Sequence, residues 1–403
     1  SYADITGSVF YGRCDDNCDE PEAWQSVEVG SAELSFGGYV VPRLELDSQD
    51  RPRIVFHAVR SSFDAGNTHY AECNANCLSA ANWSSAAVLG HGGNLLEFRL
   101  ANTDWFALDP DGTLVIAYLL QNGLVDTDKR LRLLSCETDC MLTASWSERV
   151  VETYSLTLAR PVSIAIDPDG RTYLATHVEG ISSDTAMLAF FGCVSDCLND
   201  GAWTNAVQLQ TVESDLDSLP DASLTIAPGG RPTIASFDDA DQSTLTLHYC
   251  SGDCSAATGW TQQDVGGKVA LPGGLYDAGY GVDAFFDGDA LELMYAAKAS
   301  DSPLRQLLVA SRCEQDCTSA AGTWDSRILA RTDKIEVDQG LCSFIGTRIS
   351  SSVSAVPGAV GFTSQPQWAC GTDPVLLIGP DGERSFDNAA DIRFLELSTV
   401  ASY

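Results

Sequence analysis

Basic residues are scarce in this sequence. Only 23 Lys and Arg stand against 56 Asp and Glu over 403 residues, a formal net charge of −33, and just 4 of the 23 are Lys. A phosphate backbone would be repelled by that field rather than neutralised, which excludes nucleic acid as a partner. Metal ions, cationic ligands and basic protein surfaces suit it better, and acidity also keeps an extracellular protein soluble. Also missing is any apolar run near the ~20 residues that cross a bilayer, so no transmembrane segment is expected. The chain opens at Ser1 with neither Met nor an apolar leader, the start expected of a processed product. There is no Cys-x-x-Cys-His for haem, no glycine-rich phosphate loop, and no sustained helical period. With 44% hydrophobic residues the chain still has ample material for a packed core.

What is present is a repeat. Two cysteines three residues apart, followed by a tryptophan, recur as Cys14–Cys18–Trp24, Cys73–Cys77–Trp83, Cys136–Cys140–Trp146, Cys193–Cys197–Trp203, Cys250–Cys254–Trp260 and Cys313–Cys317–Trp324. The step from second cysteine to Trp is six residues in five copies and seven in the last. Successive copies begin 59, 63, 57, 57 and 63 residues apart, the mark of a repeat architecture. Fourteen cysteines, all in visible pairs with Cys342 and Cys370 as the seventh, point to an oxidising compartment and a secreted or cell-surface protein.

Upstream of the cysteines runs a second phrase. Ser163-Ile-Ala-Ile-Asp-Pro-Asp-Gly170, Phe106-Ala-Leu-Asp-Pro-Asp-Gly112 and Leu224-Thr-Ile-Ala-Pro-Gly-Gly230 each lead into another β-rich run; residues 44–50 and 285–289 are weaker copies. Each reads as a hairpin. A third β-rich run enters the cysteines and a fourth follows the Trp. Four strands per unit of about 60 residues describe a β-propeller blade. Residues four apart on a strand lie about 13 Å from each other, too far for a disulfide, so each Cys-x-x-x-Cys belongs in a turn between the third and fourth strands. The Trp is expected to pack between neighbouring blades.

The fold class is therefore all-β: a disulfide-stapled, six-bladed β-propeller forming one domain over residues 1–403. Residues 31–331 hold five complete blades. Residues 1–30 supply strands that close the last blade, and 332–403 supply the rest of it plus an extension. A seventh, degenerate blade in 363–403 is the alternative.

The hairpins resemble those of sialidase-like, Asp-box propellers of secreted bacterial proteins, through the pattern Ser-x-Ala-x-Asp-x-x-Gly-x-x-x-x-Ala at residues 163–175. The resemblance implies the propeller. It does not bring the sialidase catalytic set, since no repeat-matched trio of Arg is present and no nucleophile has a partner; no catalytic residue is assigned. Aspartates paired in the turns are candidate Ca²⁺ ligands: Asp109 with Asp111, Asp167 with Asp169, and Asp287 with Asp289. Tight turns favour the same residues.

Turns and cysteine loops share one face of the blades. The opposite, open face carries the longer and unrepeated loops, where binding residues concentrate on a rigid scaffold. Its candidate ligand-binding residues are Arg60, Asp64, Arg99, Trp105, His177, Glu179, Asp215, Asp217, Asp238 and Asp239. The function expected is a secreted, non-catalytic binding or scaffold protein that takes an extracellular protein or glycan, with self-assembly also open. The alternatives are a glycan-active enzyme of sialidase or lyase type, and a calcium-dependent lectin.

Overall fold

A computed structural model describes residues 2–3, 7–13, 23–32, 39–59, 67–90, 95–96, 105–121, 128–159, 162–180, 185–193, 195–198, 203–213, 222–238, 244–266, 269–271, 274–299, 302–318, 322–333, 344–352, 359–365, 375–379, 382–386 and 391–396. Among them there is no α-helix. The chain divides into two compact units, residues 1–100, 104–183 and 189–207 in one and 101–103, 184–188 and 208–403 in the other.

The first unit opens with a three-stranded sheet of Tyr2–Ala3, Ser8–Arg13 and Gln25–Ser31. Blade one follows as the meander Tyr39–Leu46, Pro52–Val59, Asn67–Cys73 and Trp83–Gly90. Blade two repeats it with Phe106–Leu108, Leu114–Gln121, Asp128–Cys136 and Ser147–Ala159. The hairpin of blade three is Ser163–Ile166 with Thr172–Gly180.

In the second unit, blade four comprises Ala222–Ala227, Arg231–Asp238, Thr244–Cys250 and Trp260–Gly266. Blade five comprises Gly274–Asp287, Ala290–Ala299, Ser302–Cys313 and Trp324–Asp333. Near the C-terminus Phe344–Ser352 pairs with Ala359–Gln365 as a hairpin, and Asp391–Glu396 adds a third strand beside Ala359–Gln365. The phrase at 375–382 does not start a further blade: Val375–Gly379 and Gly382–Phe386 form a hairpin that extends blade five through Arg331 opposite Ile378. Six antiparallel sheets result, and the fold is an all-β propeller type.

Burial explains the strand order. The second strands are covered on both faces, so Ile54, Val55, Phe56 and Leu114 to Leu119 run apolar without alternation. The fourth strands of blades one and four, Trp83–Gly90 and Trp260–Gly266, end their sheets, and in the first Ser84, Ser85 and Ala87 are exposed while Val88 is buried. One device repeats without any sequence mark. The ladder between third and fourth strands shifts register at Thr68/His69, Leu131/Arg132, Leu245/Thr246 and Leu308/Val309, and at Val9/Phe10 in the N-terminal sheet. Each bulge begins five residues before the first cysteine of its phrase. A bulge increases local twist, so a shared position gives successive blades the same bend.

The cysteine pairs behave as the spacing requires. Cys73–Cys77, Cys136–Cys140, Cys193–Cys197, Cys250–Cys254 and Cys313–Cys317 are disulfides with Cα atoms 5.5–5.7 Å apart. Cys14, Cys18, Cys342 and Cys370 lie outside the described residues. The turn is made by a residue at positive φ just before the second cysteine: Asn76, Asp139, Asp196 and Asp316, at 53–56°. Asn and Asp tolerate that conformation better than other side chains. Short 3₁₀ turns, Ala80–Asn82, Thr143–Ser145 and Ala257–Gly259, then deliver the chain to the Trp.

The Trp packs between blades. Trp146 meets Tyr70 of blade one edge-on at 6.0 Å, and Trp83 meets Tyr11 of the N-terminal sheet at 5.3 Å. In the second unit Trp324 packs on a core shared by Phe237, Leu247, Val282 and Tyr295.

Candidate functional site

Hairpin turns and cysteine loops lie at the same end of their blades. Arg53, one residue into its strand, donates to Asp47 in the turn at 2.7 Å, and to Asn74 at 2.9 Å and the Cys73 carbonyl at 3.2 Å in the cysteine loop. Arg53 and Asp47 are both only 8% exposed in their side chains, so the pair ties turn to loop away from most solvent. Arg312 does the same in blade five, bonding Asp287 of the turn, the buried Glu292 and Glu314 of the loop.

The turn aspartates are occupied by turn chemistry. Asp47 accepts the backbone N–H groups of Gln49 and Arg51 at 2.9 and 3.0 Å, and Asp167 accepts those of Asp169 and Arg171 at 3.0 and 2.9 Å. Asp109 accepts that of Thr113 at 2.8 Å. Gly112 and Gly170 close these turns at φ 90° and 80°, a conformation costly for a side chain. Burial pushes the Asp47 carboxyl up, but backbone donation from Arg51 and Gln49, with the guanidinium groups of Arg51 and Arg53, holds it below the ordinary value.

The aspartate pairs expected as Ca²⁺ ligands sit in the hairpin turns of blades two, three and five. In each pair the first member is engaged within the protein and the second faces solvent. Asp111 and Asp169 are exposed in the turns that Asp109 and Asp167 close. In blade five Asp287 is held by Arg312 at 3.2 Å, while Asp289 is exposed in the turn beside it. Among the described residues no three His, Cys, Asp or Glu side chains gather as a metal-holding group, and that includes Asp109, Asp111, Asp167, Asp169, Asp287 and Asp289.

The first strands of blades one, two and three lie side by side, so their turns converge. Between them is a cleft of about 310 Å³, with Leu46, Leu108 and Ile166 as apolar lining, Pro110 and Pro168 beside them, and Asp47, Asp109 and Asp167 as its acids. No local pattern locates this cleft in the sequence. Its one signal is the repeated turn phrase, which reads as structure alone.

On the open face, Trp105 and His177 are described and buried, at 3% and 1% exposure; Trp105 belongs to the core between blades one and two. Glu179 stands opposite Leu158, and Asp238 opposite Thr244 at the end of its ladder. Arg60, Asp64, Arg99, Asp215, Asp217 and Asp239 lie outside the described residues. His57, at the position matching His177, is buried with Nδ1 3.1 Å from the Thr68 hydroxyl.

A Tyr–Glu–Arg group does exist. Tyr118 donates to Glu148, which also takes Arg132, across the second, third and fourth strands of blade two. Tyr118 is 2% exposed in the core between blades, and burial pushes its hydroxyl far up. Such a hydroxyl braces a sheet and does not ionise near neutral pH.

No protein-family model matches the chain, and no curated protein matches it in sequence. In fold it is similar to an α-L-arabinanase of Penicillium chrysogenum solved with arabinobiose, at 10% identity and TM-score 0.53, covering 90% of this chain and 94% of that one. It is also similar to a protein of unknown function from Dyadobacter fermentans, at 12% identity and TM-score 0.50, covering 90% and 96%. The likeness is one of fold: the chain is a disulfide-stapled β-propeller.

Proposed function

We propose that the chain is a secreted, non-catalytic binding protein that uses the open face of its propeller to hold an extracellular glycan or protein partner. One observation carries the reading. The turn face repeats its bonds between blades, with aspartates committed to turn amides in blades one, two and three and indoles to cysteine carbonyls in blades one, two and four. Recognition then has room to vary in the unrepeated segments of the sequence, among them those that hold Asp215, Asp217, Asp238 and Asp239. The arabinanase of similar fold was solved with a sugar, which favours a glycan among the ligands. Oxidised cysteine pairs support an oxidising compartment.

The test is a glycan array, with and without Ca²⁺, alongside variants carrying charge reversal at Asp215, Asp217, Asp238 and Asp239. Loss of binding at unchanged melting temperature is expected, and binding should weaken with salt. Cleavage of a bound glycan would favour the enzyme reading, and strict Ca²⁺ dependence the lectin reading. Binding unaffected by all four reversals would move the working face elsewhere.

A further inference from the structure

The cleft between the first three hairpin turns rests on a repeat that breaks at its middle member. In the flanking turns the aspartate is neutralised from its own blade. Asp47 pairs with Arg51 at 2.8 Å and Arg53 at 2.7 Å; Asp167 takes Arg171 at 3.4 Å and the Tyr173 hydroxyl at 3.1 Å. Four and six residues beyond Asp109 the sequence has Thr113 and Val115 instead. Among the described residues no Lys, Arg or His pairs with Asp109, and the next acid, Asp111, is exposed beside it.

The middle turn thus presents a carboxylate that lacks the cation its neighbours have, next to the apolar side chains of Leu46, Leu108 and Ile166. A long basic side chain is the group that satisfies both halves, because its methylene stem covers apolar surface while its head carries the charge. At about 310 Å³ the cleft is at the bottom of the range for ligand sites, room for one such side chain and not for an oligosaccharide. The surrounding field, −33 over the chain, attracts basic surfaces.

We propose that this cleft anchors a single lysine or arginine side chain of a basic partner protein, its cationic head on Asp109 and its stem across Leu46, Leu108 and Ile166. The site is on the turn face and is independent of open-face binding.

The test uses a fluorescent peptide of alternating Lys and Ser, titrated by anisotropy into the full chain at low salt. Three variants are compared. Asp109→Asn removes the charge. Thr113→Arg supplies at the middle turn the arginine that Arg51 and Arg171 provide at its neighbours. Asp139→Asn removes an equal charge from a cysteine loop, at a position where blade one already carries Asn76. The first two should weaken binding about tenfold, the loss expected of one charged hydrogen bond, and the third less than about twofold. Should Thr113→Arg fail to fold, Asp109→Asn against Asp139→Asn decides. Equal effects of those two, or none from Asp109→Asn, would mean only general attraction to an acidic protein and would overturn the site. Charge reversal at Asp238 should leave the peptide affinity unchanged, which separates this anchor from the open face.

Discussion

The indole Nε1 of Trp146 donates to the backbone carbonyl of Cys140 at 2.8 Å. The bond recurs from Trp83 to Cys77 at 2.7 Å, from Trp203 to Cys197 at 3.3 Å and from Trp260 to Cys254 at 3.1 Å, each across six residues. In the last copy the step from Cys317 to Trp324 is seven residues, and the buried Trp324 Nε1 has no hydrogen-bond partner among the described residues. Spacing decides the bond. The Trp146 ring packs edge-on against the neighbouring blade while its N–H closes the loop beneath it.

Trp146→Phe should therefore lose about 1 kcal/mol for the bond, and Trp146→Ala about 3–5 kcal/mol as the contact with Tyr70 also goes. Deleting Thr323 restores the six-residue step and places Gly322 before the Trp, as Gly259 precedes Trp260. That variant should gain about 1 kcal/mol, read by denaturant unfolding. A loss of stability would break the link between spacing and bond.

All fourteen cysteines should be oxidised, in six local pairs plus Cys342–Cys370. Intact mass with and without reductant, followed by peptide mapping, checks this. Replacing Cys193 and Cys197 by Ala should cost about 2 kcal/mol, the modest value for so short a loop. More than two free thiols or pairing across blades would contradict it.

We propose that residues 1–30 close the last blade with the C-terminal strands. Their deletion should then lower the melting temperature of the whole domain by far more than a frayed terminus would, since an open propeller exposes strand edges. A truncated chain with its melting temperature unchanged would rule closure out.

Acid should destabilise the fold in two windows. Burial holds the His248 imidazole down to about 4, with its Nε2 2.9 Å from Gln210 Oε1. The unfolded chain protonates this group near 6.5 and the folded one only near 4. Stability thus falls as pH drops from about 6.5 toward 4, by at most about 3 kcal/mol, and levels below. His248→Gln should flatten that slope between pH 7 and 5 in unfolding experiments. Asp47 works lower: its pKa is depressed, so its contribution holds above its ordinary value and is lost only as pH falls through the folded one.

Most of the fold was legible in local spacing. Cys-x-x-x-Cys cannot span an extended strand, so the loop position followed from chain geometry alone, and Cα separations of 5.5–5.7 Å agree. The Asp-Pro-Asp-Gly phrases likewise read as turns because proline and glycine restrict local dihedrals. Of the candidate site less was legible. Trp105 and His177 occur in loops or strand ends of the linear pattern, yet both are buried, because burial depends on what the next blade places over them. Asp287 and Asp289 look alike in the sequence, but among the described residues only Asp287 meets a cation, because Arg312 reaches it from the third strand of blade five.

The amino-acid sequence by itself determined the blade repeat, the staples, the acidity and the turn face, all of them consequences of interactions within about ten residues. Tertiary structure alone decided the rest. It set the bulge five residues before five of the six cysteine phrases, the attachment of Val375–Gly379 to blade five, and the cleft where three turns meet. These depend on strand register and on the approach of segments some 60 residues apart, and no local residue pattern encodes such distances.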